Sequence, residues 1–291
     1  MRLLIVGPGF VGARLARRAM AAGFAVAGTC RSGQRAAVLT AAGIEPVPIG
    51  DASGEALAQV LARATHVLCS APPDAGGDPL VSRLLALAAP AWRWLGYLST
   101  TGVYGDRAGG WVDETTPVAP SSDRARRRVV AETQWLELGR ASGAPTHIFR
   151  LPGIYGPGRS AFDQIRAGTA RRIDKAGQVF SRVHAEDIAT TIMASIARPR
   201  TGAIYNVADH EPAPQADVVA HAFTLMGLPV PPAIPYDEIA PTLSPMARSF
   251  YAESRRVRAD PIRTELGVEL AYPTYREGLA GILAEERDTS L

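Results

Sequence analysis

Lysine is all but missing from this 291-residue chain: Lys175 stands alone among 31 basic residues, and arginine supplies the rest. Against 28 acids the formal net charge is only +3. No sustained basic stripe with interleaved aromatics runs along the chain, which sets nucleic-acid binding aside. Cysteine is scarce too. Cys30 and Cys69 lie far apart, each ending an apolar run, a spacing that fits neither a zinc site nor a disulfide framework. His66, His147, His210 and His221 show no metal-ligand spacing, so no metal is expected. No apolar run approaches the length of a bilayer span. The opening MRLLIVGPGF holds a short apolar stretch before Gly-Pro-Gly, and Arg14, Arg17 and Arg18 follow soon, unlike a secretory signal. The expectation is a soluble, cytoplasmic protein with a small-molecule substrate and neither nucleic acid nor membrane as partner.

What is present is alternation. Short apolar runs, RLLIV, FAVAGT, EPVPI, HVLCS (66–70) and WLGYLS (94–99), are separated by amphipathic stretches reaching Ala22 and Ala42 and by PLVSRLLALAA. A helical stretch from about Ser121 to Arg140, a strand THIFRL (146–151), a helix Ala185–Ala197 and a strand AIYNVA (203–208) follow. Strand–helix alternation at this spacing predicts an α/β fold, a Rossmann-type doubly wound parallel sheet with helices on both faces. After Asp209 the texture changes: PVPPAIPYDEIAPTLSP is proline-rich, without a clear period, and reads as a looped part of a smaller C-terminal lobe. The expected organisation is one two-lobed unit over 1–291. Residues of about 1–158 and 184–208 form the dinucleotide-binding lobe, and about 159–183 and 209–291 form the lobe covering the substrate.

Gly7-Pro8-Gly9-Phe10-Val11-Gly12 matches G-x-G-x-x-G between the first strand and the first helix. Gly7 allows the tight turn, Gly9 lets the backbone approach a pyrophosphate, and Gly12 lets helix and strand close together; free N–H groups and the helix dipole face the anion. An NAD site usually sets Asp or Glu at the end of the second strand, against the ribose 2′-hydroxyl. Here that strand ends Thr29-Cys30-Arg31-Ser32, with Arg35 beyond. Permanently charged, forked guanidinium groups suit a 2′-phosphate, so NADP is favoured and NAD is the alternative. The opposing reading leaves Arg31 and Arg35 as exposed helix-start residues.

LSTTGVYGD (98–106) joins these motifs, as do Asp51 after the third strand, SAPP (70–73) after the fourth, RLPGIYGPGR (150–159), VHAEDIA (183–189) and IYNVAD (204–209). Together they resemble the extended or atypical branch of the short-chain dehydrogenase/reductase superfamily, near its epimerase/dehydratase group. The resemblance covers most of the chain and fades after Asp209. It implies a dinucleotide on Gly7, Gly9, Phe10, Val11, Gly12, Arg31, Ser32, Arg35, Asp51, Ser70, Ala71 and Pro72. It also implies a substrate-facing hydroxyl at Thr100, with Thr101 alongside, and a homodimer.

That family uses Tyr-x-x-x-Lys on the following helix, Tyr to move the proton and Lys to hold the nicotinamide ribose. Counting back from Glu132 puts Arg124 at the Tyr position and Arg128 at the Lys position. No Tyr occurs between Tyr104 and Tyr155, so no shift of register restores the pair. Arg128 can bind ribose and phosphate oxygens. Arg124 stays protonated and is suited to polarise a carbonyl or fix an anion. Tyr104 is the remaining candidate acid, unless its hydroxyl is tied to a helper group.

Residues four apart share a helix face, so Arg124 and Arg128 are expected to face the cleft, and Arg126 and Arg127 solvent; the other reading is a wholly solvated helix. Arg159 is a candidate substrate-anion contact. His184 is a candidate substrate residue, or with Asp187 anchors a helix start. The leading expectation is an NADP-dependent oxidoreductase acting on a small, anionic substrate. The alternatives are a catalytically silent NADP-reading regulatory protein and a sugar-nucleotide epimerase or dehydratase.

Overall fold

The computed structural model describes residues 1–49, 54–85 and 92–289. Asp51 lies outside them, as do the last residues of the 79–89 helical stretch. Seven strands form one all-parallel sheet: β1 (Arg2–Val6), β2 (Ala25–Cys30), β3 (Glu45–Pro48), β4 (His66–Cys69), β5 (Trp94–Thr100), β6 (Thr146–Leu151) and β7 (Ala203–Asn206). Their spatial order is β3-β2-β1-β4-β5-β6-β7. Ile5 pairs with Gly28 on one side and Leu68 on the other, so β1 and β4 flank the point where the winding reverses. In open sheets of this kind, ligands bind outside the carboxyl ends of the strands at that point.

A strand's side chains alternate between faces, and both faces here are covered. Leu3 and Ile5 pack with helix α1 (Phe10–Ala21), helix α2 (Gly33–Ala41) and helix Ala185–Ala197 through Val11, Leu15, Leu39, Ile188 and Ile192. Leu4 and Val6 pack to the opposite side, with Val60, Leu84 and Trp135 from α3 (Gly54–Arg63), α4 (Pro79–Leu85) and α5 (Asp123–Ser142). Helix Ala185–Ala197 is α6 below.

α5 begins two residues later and ends two later than its apolar pattern suggests, for reasons of capping. Ser122 accepts from the Ala125 N–H at its start, and Gly143, at φ 69°, ends it in the left-handed region.

The proline-rich segment after Asp209 is more ordered than its composition suggests. It carries helices Tyr236–Ile239 and Pro245–Tyr251, and Ile234–Pro235 pairs in parallel with Ile173–Asp174. Proline sets the starts: Pro235 precedes the first helix, and Pro245 opens the second, where its missing N–H is no loss. Ser244 caps the second by accepting from the Ala247 N–H. The Lys175 ammonium donates to the Tyr251 carbonyl and lies 4.9 Å from the Tyr236 ring centre. Tyr155, Phe162, Val218, Tyr275 and Ile282 form a core of their own, whereas Ile262, Leu266 and Val268 join the core of the main sheet.

Candidate active site

The glycine turn has the geometry of an anion cradle. Gly7 adopts φ +75°, and its N–H donates to Thr29 Oγ1 at 2.9 Å. A Cβ on Gly7 would stand 3.1 Å from the Ala71 nitrogen, so the turn after β1 lies directly against the segment after β4. A Cβ on Gly12 would stand 3.2 Å from Ile5, which ties α1 to its strand. At Gly9 a Cβ would meet nothing nearer than the Gly7 carbonyl at 3.9 Å, so the space before α1 is open. Gly9 caps α1 without a side chain, and no acid occupies the first turn. The first intrahelical bond there is Ala13 N–H to Gly9 O, leaving the N–H groups of Phe10, Val11 and Gly12 without helical acceptors. A dinucleotide's pyrophosphate fits this donor set.

At the end of β2, Arg31 is exposed, and Ser32 caps α2 by accepting from the Arg35 N–H. The Arg35 guanidinium donates to the Pro8 carbonyl inside the glycine turn. Arg31, Ser32 and Arg35 thus sit at one end of the sheet with the turn, and no carboxylate pairs with either arginine among the described residues.

Arg159 joins the same end. Its guanidinium lies 5.7 Å from the Phe10 ring centre, which Arg14 approaches at 4.0 Å. The Gly156 and Arg159 backbones bond reciprocally, holding the loop there. Arg14, Arg17 and Arg18 converge on Glu186 and join α1 to the start of α6.

Across Pro72 the second half of the site begins. Pro72, Pro73, Asp123, Arg124, Arg127 and Arg128 line an open cleft of about 390 Å³. The expected division of the arginines needs correction. Arg127 shares the cleft with Arg124 and Arg128, because the i, i+3 and i, i+4 positions lie on one helix face. Only Arg126 is drawn aside, to Asp123 at 2.6 Å and to the Ser121 carbonyl.

Arg128 is fixed from behind: its Nη1 donates to the Leu98 carbonyl at 2.6 Å and to the Tyr97 hydroxyl at 3.2 Å. Burial pushes the Tyr97 phenol well up, keeping it neutral. Arg124 reaches across to Met246 Sδ at 3.7 Å. Thr100 ends β5 and caps the short turn Thr101–Tyr104, its Oγ1 accepting from the Gly102 N–H. Among the described residues its own O–H has no acceptor, while Thr101 is buried.

Tyr104 is fully buried, and its hydroxyl donates to Asn206 Oδ1 at 2.8 Å and accepts from Arg150 Nη1 at 3.0 Å. Burial pushes its pKa up despite the adjoining Arg150. Arg150 in turn forms a bidentate ion pair with Glu132, which also accepts from Ser99 Oγ. This buried chain, Ser99–Glu132–Arg150–Tyr104–Asn206, joins α5 to β5, β6 and β7. Its sequence signal is an arginine inside the apolar strand THIFRL, which requires a buried carboxylate.

His184 is buried, caps α6 through Nδ1, and lies between the rings of Tyr272 and Tyr155 at 4.0 and 5.2 Å. Asp187 makes no pair with it and accepts from the Ala271 and Tyr272 N–H groups.

Among the described residues, no helix is long and apolar enough to cross a membrane, and no cluster of three metal-ligating side chains occurs. The family model for the NAD dependent epimerase/dehydratase family matches residues 80–208. The structure of a functionally unknown conserved protein from Silicibacter pomeroyi DSS is 48% identical, with a TM-score of 0.88 over 98% of this chain and 99% of that one. Protein YeeZ of Escherichia coli K12 is 32% identical over 222 residues, 71% of this chain and 77% of YeeZ. The 3-diazoavenalumate denitrifying reductase of a Streptomyces species is 30% identical over 181 residues, and the match spans only 58% of that protein's length. Solved structures sharing the fold at under 25% identity include one with NAD and one with NADPH. Matched in sequence through β5, β6 and β7 and in fold from end to end, the chain belongs to the NAD-dependent epimerase/dehydratase family.

Proposed function

We propose that this protein is an NADPH-preferring reductase of a small anionic substrate, working without a tyrosine–lysine pair. The observation that carries this reading is the continuity of the open glycine turn with the arginine cleft, through Ala71 and Pro72, at the reversal point of the sheet. Bound NADPH would supply the hydride.

The N–H groups of Phe10, Val11 and Gly12 hold the pyrophosphate, with Arg159 beside them. Arg31, Ser32 and Arg35 take the 2′-phosphate. Arg128 stands in the family's lysine position, and its Nε and Nη2 donors are left for ribose hydroxyls while Nη1 is held on Leu98 and Tyr97. The Thr100 hydroxyl donates to the substrate. Segments of about 159–183 and 209–291 cover it.

Tyr104 serves as a strut rather than an acid, because both sides of its hydroxyl are engaged and its surroundings exclude solvent. Protonation then falls to water, or is not needed by an electrophile already activated toward hydride. The name of the Streptomyces relative, a denitrifying reductase, supports reduction over epimerisation. The buried Tyr104 also favours a second reading, an NADP-reading protein without turnover, which a substrate screen following NADPH consumption separates from the first.

Titration with NADPH and NADH tests the cofactor assignment. Two guanidinium–phosphate contacts at ~1.5–3 kcal/mol each, reduced by exposure, give NADPH an advantage of roughly 10- to 100-fold. Arg31→Asp is expected to reverse it. Equal affinities in the native protein would remove the 2′-phosphate assignment.

A further inference from the structure

Arg124, Arg127 and Arg128 crowd three positive charges onto one face of α5, which weakens a helix unless something opposes them. Arg126 meets this locally by pairing with Asp123. The other three have no carboxylate within ion-pair distance among the described residues. Arg128 is anchored on the Leu98 carbonyl and the Tyr97 hydroxyl, but among the described residues Arg124 has only the weak acceptor Met246 Sδ, and Arg127 has no hydrogen-bond partner and feels only the through-space charge of Asp123, which Arg126 holds. Two forked, uncommitted guanidinium groups side by side match the planar geometry of a carboxylate.

The apolar groups bordering the arginines narrow the class. Met246, which touches Arg124, is 56% exposed, and Phe250, one turn along the same helix face, is 54% exposed. Pro72 and Pro73 add apolar surface at the other side. A nucleoside diphosphate would extend into the covering segments and need cations there. Four arginines of those segments are already committed to backbone carbonyls, Arg172 to Pro231, Arg182 to Ala213, Arg255 to Gly105 and Arg256 to Gly109, and are not free to take a second phosphate.

We infer that the substrate is a small monocarboxylic acid with an apolar, aryl or acyl body. Its carboxylate is held by Arg124 and Arg127 and its body lies against Met246. This assignment rests on the reductase reading and adds the substrate class to it.

The test is calorimetric titration of the full-length protein, first with NADPH and then, once saturated, with benzoate, benzamide, acetate, phenyl phosphate and UDP-glucose as probes. Benzoate is expected to bind at least about tenfold more tightly than benzamide, for lack of charge, and than acetate, for lack of a body. Arg124→Gln and Arg127→Gln should each weaken benzoate about 10- to 100-fold, the range of a charged hydrogen bond, while the NADPH affinity stays within about twofold. Arg140→Gln, in the last turn of the same helix and outside the cleft, should change neither. Met246→Glu, which puts a carboxylate beside Arg124, should weaken benzoate as the glutamine variants do.

Benzamide binding as well as benzoate, a loss in Arg140→Gln equal to that in Arg124→Gln, or tighter binding of phenyl phosphate or UDP-glucose would each overturn the inference. Absence of NADPH binding would overturn the cofactor reading and this one with it. NADPH binding without a preference for benzoate would overturn this one alone.

Discussion

Replacing Glu132 by Leu strips the buried Arg150 guanidinium of its counter-charge. Glu132 and Arg150 are 4% and 5% exposed, their closest atoms are 2.7 Å apart, and three further contacts tie the carboxylate to Arg150 Nε and to Ser99. Removing one partner of such a pair typically costs ~3–5 kcal/mol, because the survivor stays desolvated and unpaired. An unfolding entropy of about 2.1 cal/mol/K per residue gives about 0.6 kcal/mol/K for this chain, so Glu132→Leu should lower Tm by about 5–8 °C in a single cooperative transition.

Arg150→Met should cost a similar amount by stranding the carboxylate. The double variant Glu132→Leu/Arg150→Met, apolar on both sides, should recover most of the loss. Recovery stays incomplete because Tyr104 loses the Arg150 donor, worth ~1 kcal/mol. Thermal melts by circular dichroism on the four proteins complete the cycle. A drop below about 2 °C for Glu132→Leu, or a double variant losing the sum of the two singles, would show that the pair does not act as a buried charge couple.

Gly9→Val should abolish measurable NADPH binding while leaving Tm within about 1 °C, since a Cβ there meets nothing closer than 3.9 Å; retained affinity in a fluorescence titration would contradict the cradle. Tyr104→Phe should reduce NADPH-dependent turnover less than about tenfold, within the range ascribed to a positioning role, whereas a loss of 10²–10⁴ would identify a general acid. Burial pushes His66, His147 and His184 down to about 4, from 6.5 in the unfolded chain. Between those values the unfolded state takes protons that the fold refuses, so stability should fall as pH drops from about 6.5 toward 4 and not change on their account above that window. Melts at pH 7.5, 5.5 and 4.5 check this, and a flat series would refute it.

The sheet and its winding were legible because parallel strands buried on both faces leave uninterrupted apolar runs, as in His66–Cys69 and Thr146–Leu151. The glycine turn was legible for a related reason: the backbone itself is the functional group, and only glycine permits Gly7's φ and Gly7's close contact with Ala71. Side-chain partnerships across long separations were not legible. Four-residue spacing alone sends Arg127 outward, yet its i, i+3 position relative to Arg124 puts it in the cleft. Nothing local in THIFRL indicates that Arg150 reaches Glu132 and Tyr104. Met246 sits in a segment whose period is broken by proline, so its approach to Arg124 required the fold. His184 and Arg159 were marked by motif position, but the first is enclosed by Tyr155 and Tyr272, and the second stacks over Phe10.

The solitary lysine has a practical corollary. Lys175 fastens the C-terminal end of the Pro245–Tyr251 helix, whose opposite end carries Met246 to Arg124. Acylating reagents aimed at side-chain amines therefore have one address in the whole polypeptide, and it is the tether of the segment leaning over the arginines. Neutralising that ammonium would weaken its hold on the Tyr251 carbonyl without touching any residue that lines the crevice, a chemical handle on the Pro245–Tyr251 helix that needs no mutation.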